Sequence, residues 1–272
     1  MRAWRVTVDA ADEDGATAAL WEAGTAGIEV RAAPGGKADL IAYFPDASPA
    51  TPPPGLPAGA TVAPDVVPDV DWVARFRQGF RSFRAGRFRL APPWDLPEEP
   101  ESPDLLIVDP GRAFGTGTHE TTRLCLGALE ELSRRRPLGR TLDLGSGTAL
   151  LAVAAARLGA GVVCASDIDP EAVSASRHHA RLNRTRLTVV RADGGRGFRP
   201  ASFDLVLANL MALLLVDRSA EIRALLAPGG ALVLSGLLLE DVPAVRDAFA
   251  GCGTPIERRD GEWAALVYEA AP

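Results

Sequence analysis

The sequence predicts an α/β protein with a doubly wound parallel sheet, preceded by a smaller α+β unit. Three observations lead there. First, Arg140–Leu144 is strand-like, Gly145 and Gly147 follow, and Leu150–Leu158 carries apolar residues at helical spacing. Second, apolar strand-like runs recur beyond this strand–turn–helix unit, at 162–166, 187–192 and 203–208. Third, residues 45–70 are rich in proline, including Pro52-Pro53-Pro54, and set the N-terminal stretch apart from the rest.

Within residues 1–46, Trp4–Val8 alternates like a strand, and Asp14–Ala23 reads as a helix ending near Gly24 and Gly27. Strands follow around Ile28–Arg31 and Leu40–Phe44, joined by a Pro34-Gly35-Gly36 turn. The proline-rich stretch leaves room for little beyond an edge strand. From Asp71, the aromatics Trp72, Phe76, Phe80 and Phe83 recur at spacings of four, four and three, one face of a helix. Arg75, Arg77, Arg81 and Arg84 lie between them. A basic amphipathic helix can serve a nucleic acid or a membrane surface; the preferred reading is a connecting helix packed by its aromatic face. The predicted organisation is therefore a small domain at 1–70, a linker helix at 71–89 and a large domain at 90–272.

After Pro92–Pro103, Asp104–Val108 reads as a strand that leads into the run Asp109 to Thr122. Gly111, Gly115 and Gly117, with Phe114, His119 and hydroxyl side chains, suit an active-site loop that opens a helix, with Glu120 in its first turn.

The glycine turn has two readings. Gly145 and Gly147 allow a sharp turn and a close ligand approach, as in a dinucleotide fingerprint. That fingerprint wants a third small residue where this chain has Leu150. Asp143, at the strand end, would repel a pyrophosphate and attract the ammonium and sulfonium of S-adenosylmethionine (AdoMet). The unit resembles the first motif of class I AdoMet methyltransferases; an ordinary tight βα turn is the alternative. Asp167 lies 22 residues beyond Gly145 at the end of Val162–Ser166, where a carboxylate can accept from both ribose hydroxyls. Asp169 suits the cap of a helix beginning at Pro170. Asp193 follows the strand 187–192 and can meet the adenine amino group or serve the turn before Gly194-Gly195. Asn209 ends Phe203–Ala208; its amide can orient an incoming amine or hold the methionyl end of the cofactor.

The loop 109–122 is similar to that of the methyltransferases that modify large-subunit ribosomal protein eleven, the stalk-base protein. The resemblance takes in the Asp71-Trp72 linker, Leu142-Asp143-Leu144-Gly145, Asp167-Ile168-Asp169-Pro170 and Leu207-Ala208-Asn209-Leu210. It extends to Leu234-Ser235-Gly236-Leu237 and Gly261-Glu262-Trp263. It implies a Rossmann-like class I methyltransferase domain behind a reduced ferredoxin-like domain, and AdoMet contacts by Thr122 and Asn209. Ala149 stands where the family usually has a third glycine, and Thr118 replaces the first of two adjacent histidines. His119 is then the one histidine of the loop, a candidate for helping to deprotonate an amine, with a structural role as the alternative. His178 and His179 diverge by about 100° on a helix and suggest no metal site.

Composition narrows the classes. An apolar fraction of 47% with 24% charged residues is ordinary for a globular protein. No apolar run approaches a membrane span, the first residues show no secretory signal, and Cys125, Cys164 and Cys252 suggest neither a disulfide framework nor zinc. A reduced, cytoplasmic compartment is expected. The net charge of −6 resides in residues 1–70, which hold ten acidic and four basic side chains, and the remainder balances. The expected partner is a basic ribosomal protein docked on the acidic N-terminal domain of a monomer, with no direct nucleic-acid contact and no membrane. The expected reaction is AdoMet-dependent N-methylation of lysine and N-terminal amines. Another protein or a small amine is the alternative substrate, and a non-catalytic AdoMet- or partner-binding module the alternative class.

Overall fold

The computed structural model describes residues 2–25, 27–45, 51–66, 77, 79–98, 102–111 and 113–269. The chain forms two compact units, 1–71 and 72–272.

In the first unit, β1 (Arg2–Asp9), β2 (Gly27–Ala33), β3 (Lys37–Phe44) and β4 (Thr61–Asp65) make an antiparallel sheet in the order β2-β3-β1-β4. Alternation along β1 turns Val6 and Val8 to one face, where they meet Leu40, Ala42 and Phe44 of β3. Helix α1 (Glu13–Glu22) closes that face with Ala16 and Leu20. Pro64 is tolerated because β4 is an edge strand, bonded to β1 alone.

In the second unit the expected linker helix does not run on to residue 89. Residues 71–76, with Trp72, Arg75 and Phe76, lie outside the described residues; Arg77 and Gly79 are helical, but Phe80 is not. Phe83 begins β5 (Phe83–Ala85), which turns at Gly86 (φ +60°) into β6 (Phe88–Ala91). Strand β7 (Leu105–Ile107) pairs parallel with β6. The helix expected to reach 89 is thus a hairpin from 83 onward. A boundary at 90 would cut β6, and Ala85, Phe88 and Leu90 belong to the large unit's core.

That core lies on a seven-stranded sheet. Its strands are β8 (Arg140–Leu144), β9 (Val162–Asp167), β10 (Thr188–Arg191), β11 (Phe203–Asn209), β12 (Leu226–Leu238), β13 (Ile256–Asp260) and β14 (Trp263–Glu269). They run in the order β10-β9-β8-β11-β12-β14-β13, the first five parallel and β14 inserted antiparallel between β12 and β13. Both faces are covered, so β11 is continuously apolar from Leu205 to Ala208. Leu205 and Leu207 face one cluster with α2 (Glu120–Arg135) and α3 (Leu150–Arg157). Val206 and Ala208 face the other, with α5 (Ala212–Asp217), α6 (Ser219–Leu225) and α7 (Val242–Ala248). Helix α4 (Pro170–Leu182) links β9 to β10 and is capped by Asp169, whose Oδ1 accepts from the Glu171 N–H at 2.8 Å. No helix of the described residues is long and apolar enough to cross a membrane.

The chain order reverses between β8 and β11, which opens a crevice at the carboxyl ends of these strands. A chain starting at Trp72 should fold cooperatively. One starting at residue 92 lacks Phe88 and Leu90 and forfeits several kcal/mol of a stability of about 5–15 kcal/mol. Circular dichroism melts check this; equal melting temperatures for the two fragments would contradict the assignment of the hairpin to this core.

Candidate active site

The crevice holds a cavity of about 620 Å³ lined from the ends of β8, β9 and β11, the loop before α2, and β14. Its floor is the glycine turn. Gly145 (φ +70°) and Gly147 (φ +54°) adopt left-handed backbone, and a Cβ on them would overlap the Leu210 side chain and the Phe114 carbonyl respectively. The N–H groups of Gly145 and Ser146 donate to the Ser166 carbonyl at 2.8 and 2.9 Å, which ties the turn to β9. The loop is latched from the next residue: Thr148 N–H donates to Phe114 O at 2.9 Å, and Thr148 Oγ1 to Gly115 O at 2.6 Å.

Asp167 ends β9 at the cavity wall. Its Oδ2 accepts from Gly147 N–H at 2.9 Å and its Oδ1 from Asp169 N–H at 3.0 Å, which leaves lone pairs on both oxygens. Beside it, Ser166 Oγ is buried without a hydrogen-bond partner. Asn209 ends β11, lines the same cavity and donates from Nδ2 to Thr121 Oγ1 at 3.3 Å. His119 caps α2 through Nδ1, which accepts from Thr121 N–H at 3.3 Å. Its ring packs edge-on against Phe114 (5.7 Å between centroids) and Trp263 (4.7 Å), and all three line the cavity.

Gly145, Gly147, Asp167, Asp193, Asn209 and His119 therefore converge, whereas Asp143 and Thr122 do not line the cavity. Asp143 is buried under the turn, where its Oδ2 accepts from Ala152 N–H at 3.0 Å and so braces the start of α3. Burial pushes its carboxyl up to about 7, against the opposing pull of that hydrogen bond. Thr122 faces inward with its hydroxyl buried and unpartnered; its neighbour Thr121 reaches the cavity. One step along a helix rotates a side chain by about 100°, enough to exchange the two. Asp193 lines the cavity with its carboxylate already engaged: Oδ1 accepts from Arg218 at 3.0 Å and Oδ2 from Arg196 at 3.0 Å. Arg218, some 25 residues away on a different element, carried no local signal in the sequence.

His178 and His179 pin the base of the loop. The buried His179 donates from Nδ1 to Ala175 O and accepts at Nε2 from Asp109 N–H, and burial holds its pKa below the usual value. His178 Nε2 lies 3.0 Å from Asp109 Oδ2.

The residues present fit AdoMet. The glycine cradle leaves room for backbone-close approach, Asp167 retains acceptor capacity, Ser166 Oγ lacks a partner, and Ile168, Leu210 and Met211 supply apolar wall for a flat base. Together with the strand order, this makes the large unit a class I AdoMet-dependent methyltransferase. Residues 54–271 match the model of the family Ribosomal protein L11 methyltransferase (PrmA), and the chain belongs to that family. The ribosomal protein L11 methyltransferase of Geobacter metallireducens is 43% identical over 218 residues, spanning 79% of this chain and 70% of that protein. The one from Deinococcus radiodurans is 35% identical over 262 residues and 91% of each chain. Among solved structures, ribosomal protein L11 methylase from Lactobacillus delbrueckii subsp. bulgaricus superposes with a TM-score of 0.60 at 27% identity, covering 69% of this chain and 96% of that one.

Proposed function

We propose that this protein methylates ribosomal protein L11 on lysine ε-amino and N-terminal α-amino groups. The observation that carries the reading is Asn209, a neutral amide at the end of β11 in the same cavity as Asp167 and the glycine turn. AdoMet, when bound, supplies an electrophilic methyl group. The chain's task is then to hold a neutral amine in line with it and exclude water, which is mostly positioning. Asn209 orients the amine and touches the cofactor; Phe114, His119 and Trp263 wall the approach. Asp167 binds the ribose hydroxyls through its remaining lone pairs, and Gly145 and Gly147 leave space for the methionyl end. Asp193, held by Arg218 and Arg196, borders the adenine, while Asp143 and Thr122 support the cradle from beneath.

Residues 1–70 dock the substrate. Their six-unit excess of negative charge suits a basic ribosomal protein and speeds encounter, and the same charge balance disfavours direct contact with nucleic acid. The protein works as a monomer in the cytoplasm, a compartment that suits its free thiols at Cys125, Cys164 and Cys252.

Two outcomes are expected. Hydrogen bonds to a charged acceptor contribute roughly 1.5–3 kcal/mol each, so Asp167→Ala should weaken AdoMet binding at least tenfold. Titration calorimetry checks this, and unchanged affinity would remove the ribose assignment. With purified L11 and labelled AdoMet, the full chain should methylate lysine and N-terminal amines, located by mass spectrometry. It should act at least tenfold faster than a chain starting at Trp72 at equal cofactor occupancy. No transfer to L11 would overturn the substrate; equal rates would remove the docking role.

A further inference from the structure

Three side chains at the cavity edge form one hydrogen-bonded chain. Thr121 Oγ1 stands 2.8 Å from His119 Nδ1 and 3.3 Å from Asn209 Nδ2. A hydroxyl, an imidazole and a carboxamide can each donate or accept, so the chain has two possible directions. One group removes the choice. The backbone N–H of Thr121 is aimed at His119 Nδ1 at 3.3 Å, and an amide N–H can only donate. Nδ1 therefore presents its lone pair, and the Thr121 hydroxyl gives its single hydrogen to the same acceptor. Oγ1 keeps only lone pairs for Asn209, whose amide must turn its NH₂ toward Thr121. The Asn209 Oδ1 is then the group left for the cavity.

The neutral His119 in this arrangement carries its proton on Nε2. The Nδ1 lone pair is occupied by the cap and the Nε2 already bears hydrogen, so the imidazole has no free site for a proton from the amine. Its place is that of a helix cap and an aromatic wall against Phe114 and Trp263. Thr121 is itself fixed: it is 1% exposed, and its carbonyl accepts from Ser235 Oγ at 3.4 Å.

We propose that Thr121 is a positioning residue that fixes the orientation of the Asn209 amide, so that Oδ1 accepts a hydrogen bond from the substrate amine and thereby aims the lone pair of the amine nitrogen at the methyl group. This rests on the amine-methylation reading above and adds to it the residue that sets the direction. An amide free to rotate would present NH₂ half the time and repel the hydrogens of the amine it must hold.

Thr121→Val removes the hydroxyl at nearly constant shape, and Thr121→Ser retains it. In the Val variant kcat on L11 should fall at least tenfold, with KM and the AdoMet dissociation constant changed less than threefold. The Ser variant should recover kcat to within threefold of the original. A Val variant with full kcat, or a Ser variant as impaired as Val, would overturn the proposal. Nitrogen-15 NMR of the full-length protein gives a readout independent of turnover: His119 should be the Nε2–H tautomer, with protonated Nδ1 at neutral pH overturning the assigned direction. If the original chain transfers no methyl to L11, the substrate reading fails while the tautomer still decides this one.

Discussion

The site depends on one backbone position without a side chain. At Gly147 the chain is left-handed, and the Phe114 carbonyl lies where a Cβ would be. Three parts of the unit meet around it. Its N–H reaches the Asp167 carboxylate at 2.9 Å, its carbonyl accepts from Ser176 Oγ of α4 at 2.9 Å, and the adjoining Thr148 bonds the loop at Phe114 and Gly115. The end of β9, the middle of α4 and the loop before α2 are thereby set relative to a single turn. Asn209, on the neighbouring strand β11, completes the wall because β11 pairs in register with β8, Leu207 opposite Asp143 and Ala208 opposite Leu144.

The turn is maintained at some energetic cost. Ala149 holds a left-handed conformation (φ +61°), which disfavours an L-residue by about 1–2 kcal/mol. Its methyl is fully buried against Ala152, Val163 and Ala165, and burial of one such group contributes about 0.8 kcal/mol in return. This partial offset accommodates alanine at a left-handed position that glycine would occupy without strain. Asp143 adds a second cost. Its folded pKa is raised to about 7, above the ordinary carboxyl value that holds in the unfolded chain. The unfolded state therefore binds fewer protons between these limits, and stability falls as pH rises through that window. A cation in the adjoining crevice favours the ionised form of this carboxyl, so the unfavourable burial is of a kind that a positively charged cofactor relieves.

Much of this was legible in the sequence wherever the signal is local. The strand–glycine–helix unit, Asp167 at the next strand end, Asp169 as a cap and Asn209 closing β11 are each read from a few consecutive residues. The elements of the first unit followed likewise from alternation and from the proline-rich stretch. Other features escaped for stated physical reasons. Phe80 and Phe83 stand at helical spacing from the preceding aromatics, yet Gly86 folds 83–91 into a hairpin whose Phe88 and Leu90 the core requires; a spacing rule cannot see that competition. That Thr121 lines the cavity while the Thr122 hydroxyl is buried is a matter of helical phase, set by where His119 caps α2. The engagement of Asp193 by Arg218 joins β10's turn to α6, a pairing that only the folded chain creates.

If Gly147 assembles the AdoMet crevice, AdoMet affinity in Gly147→Ala reports on it. The added methyl must displace the Phe114 carbonyl and strain the turn, while the two apolar clusters that stabilise the unit are left intact. The variant should retain native circular dichroism but bind AdoMet at least tenfold more weakly by titration calorimetry. A folded variant with unchanged affinity would contradict that role of Gly147.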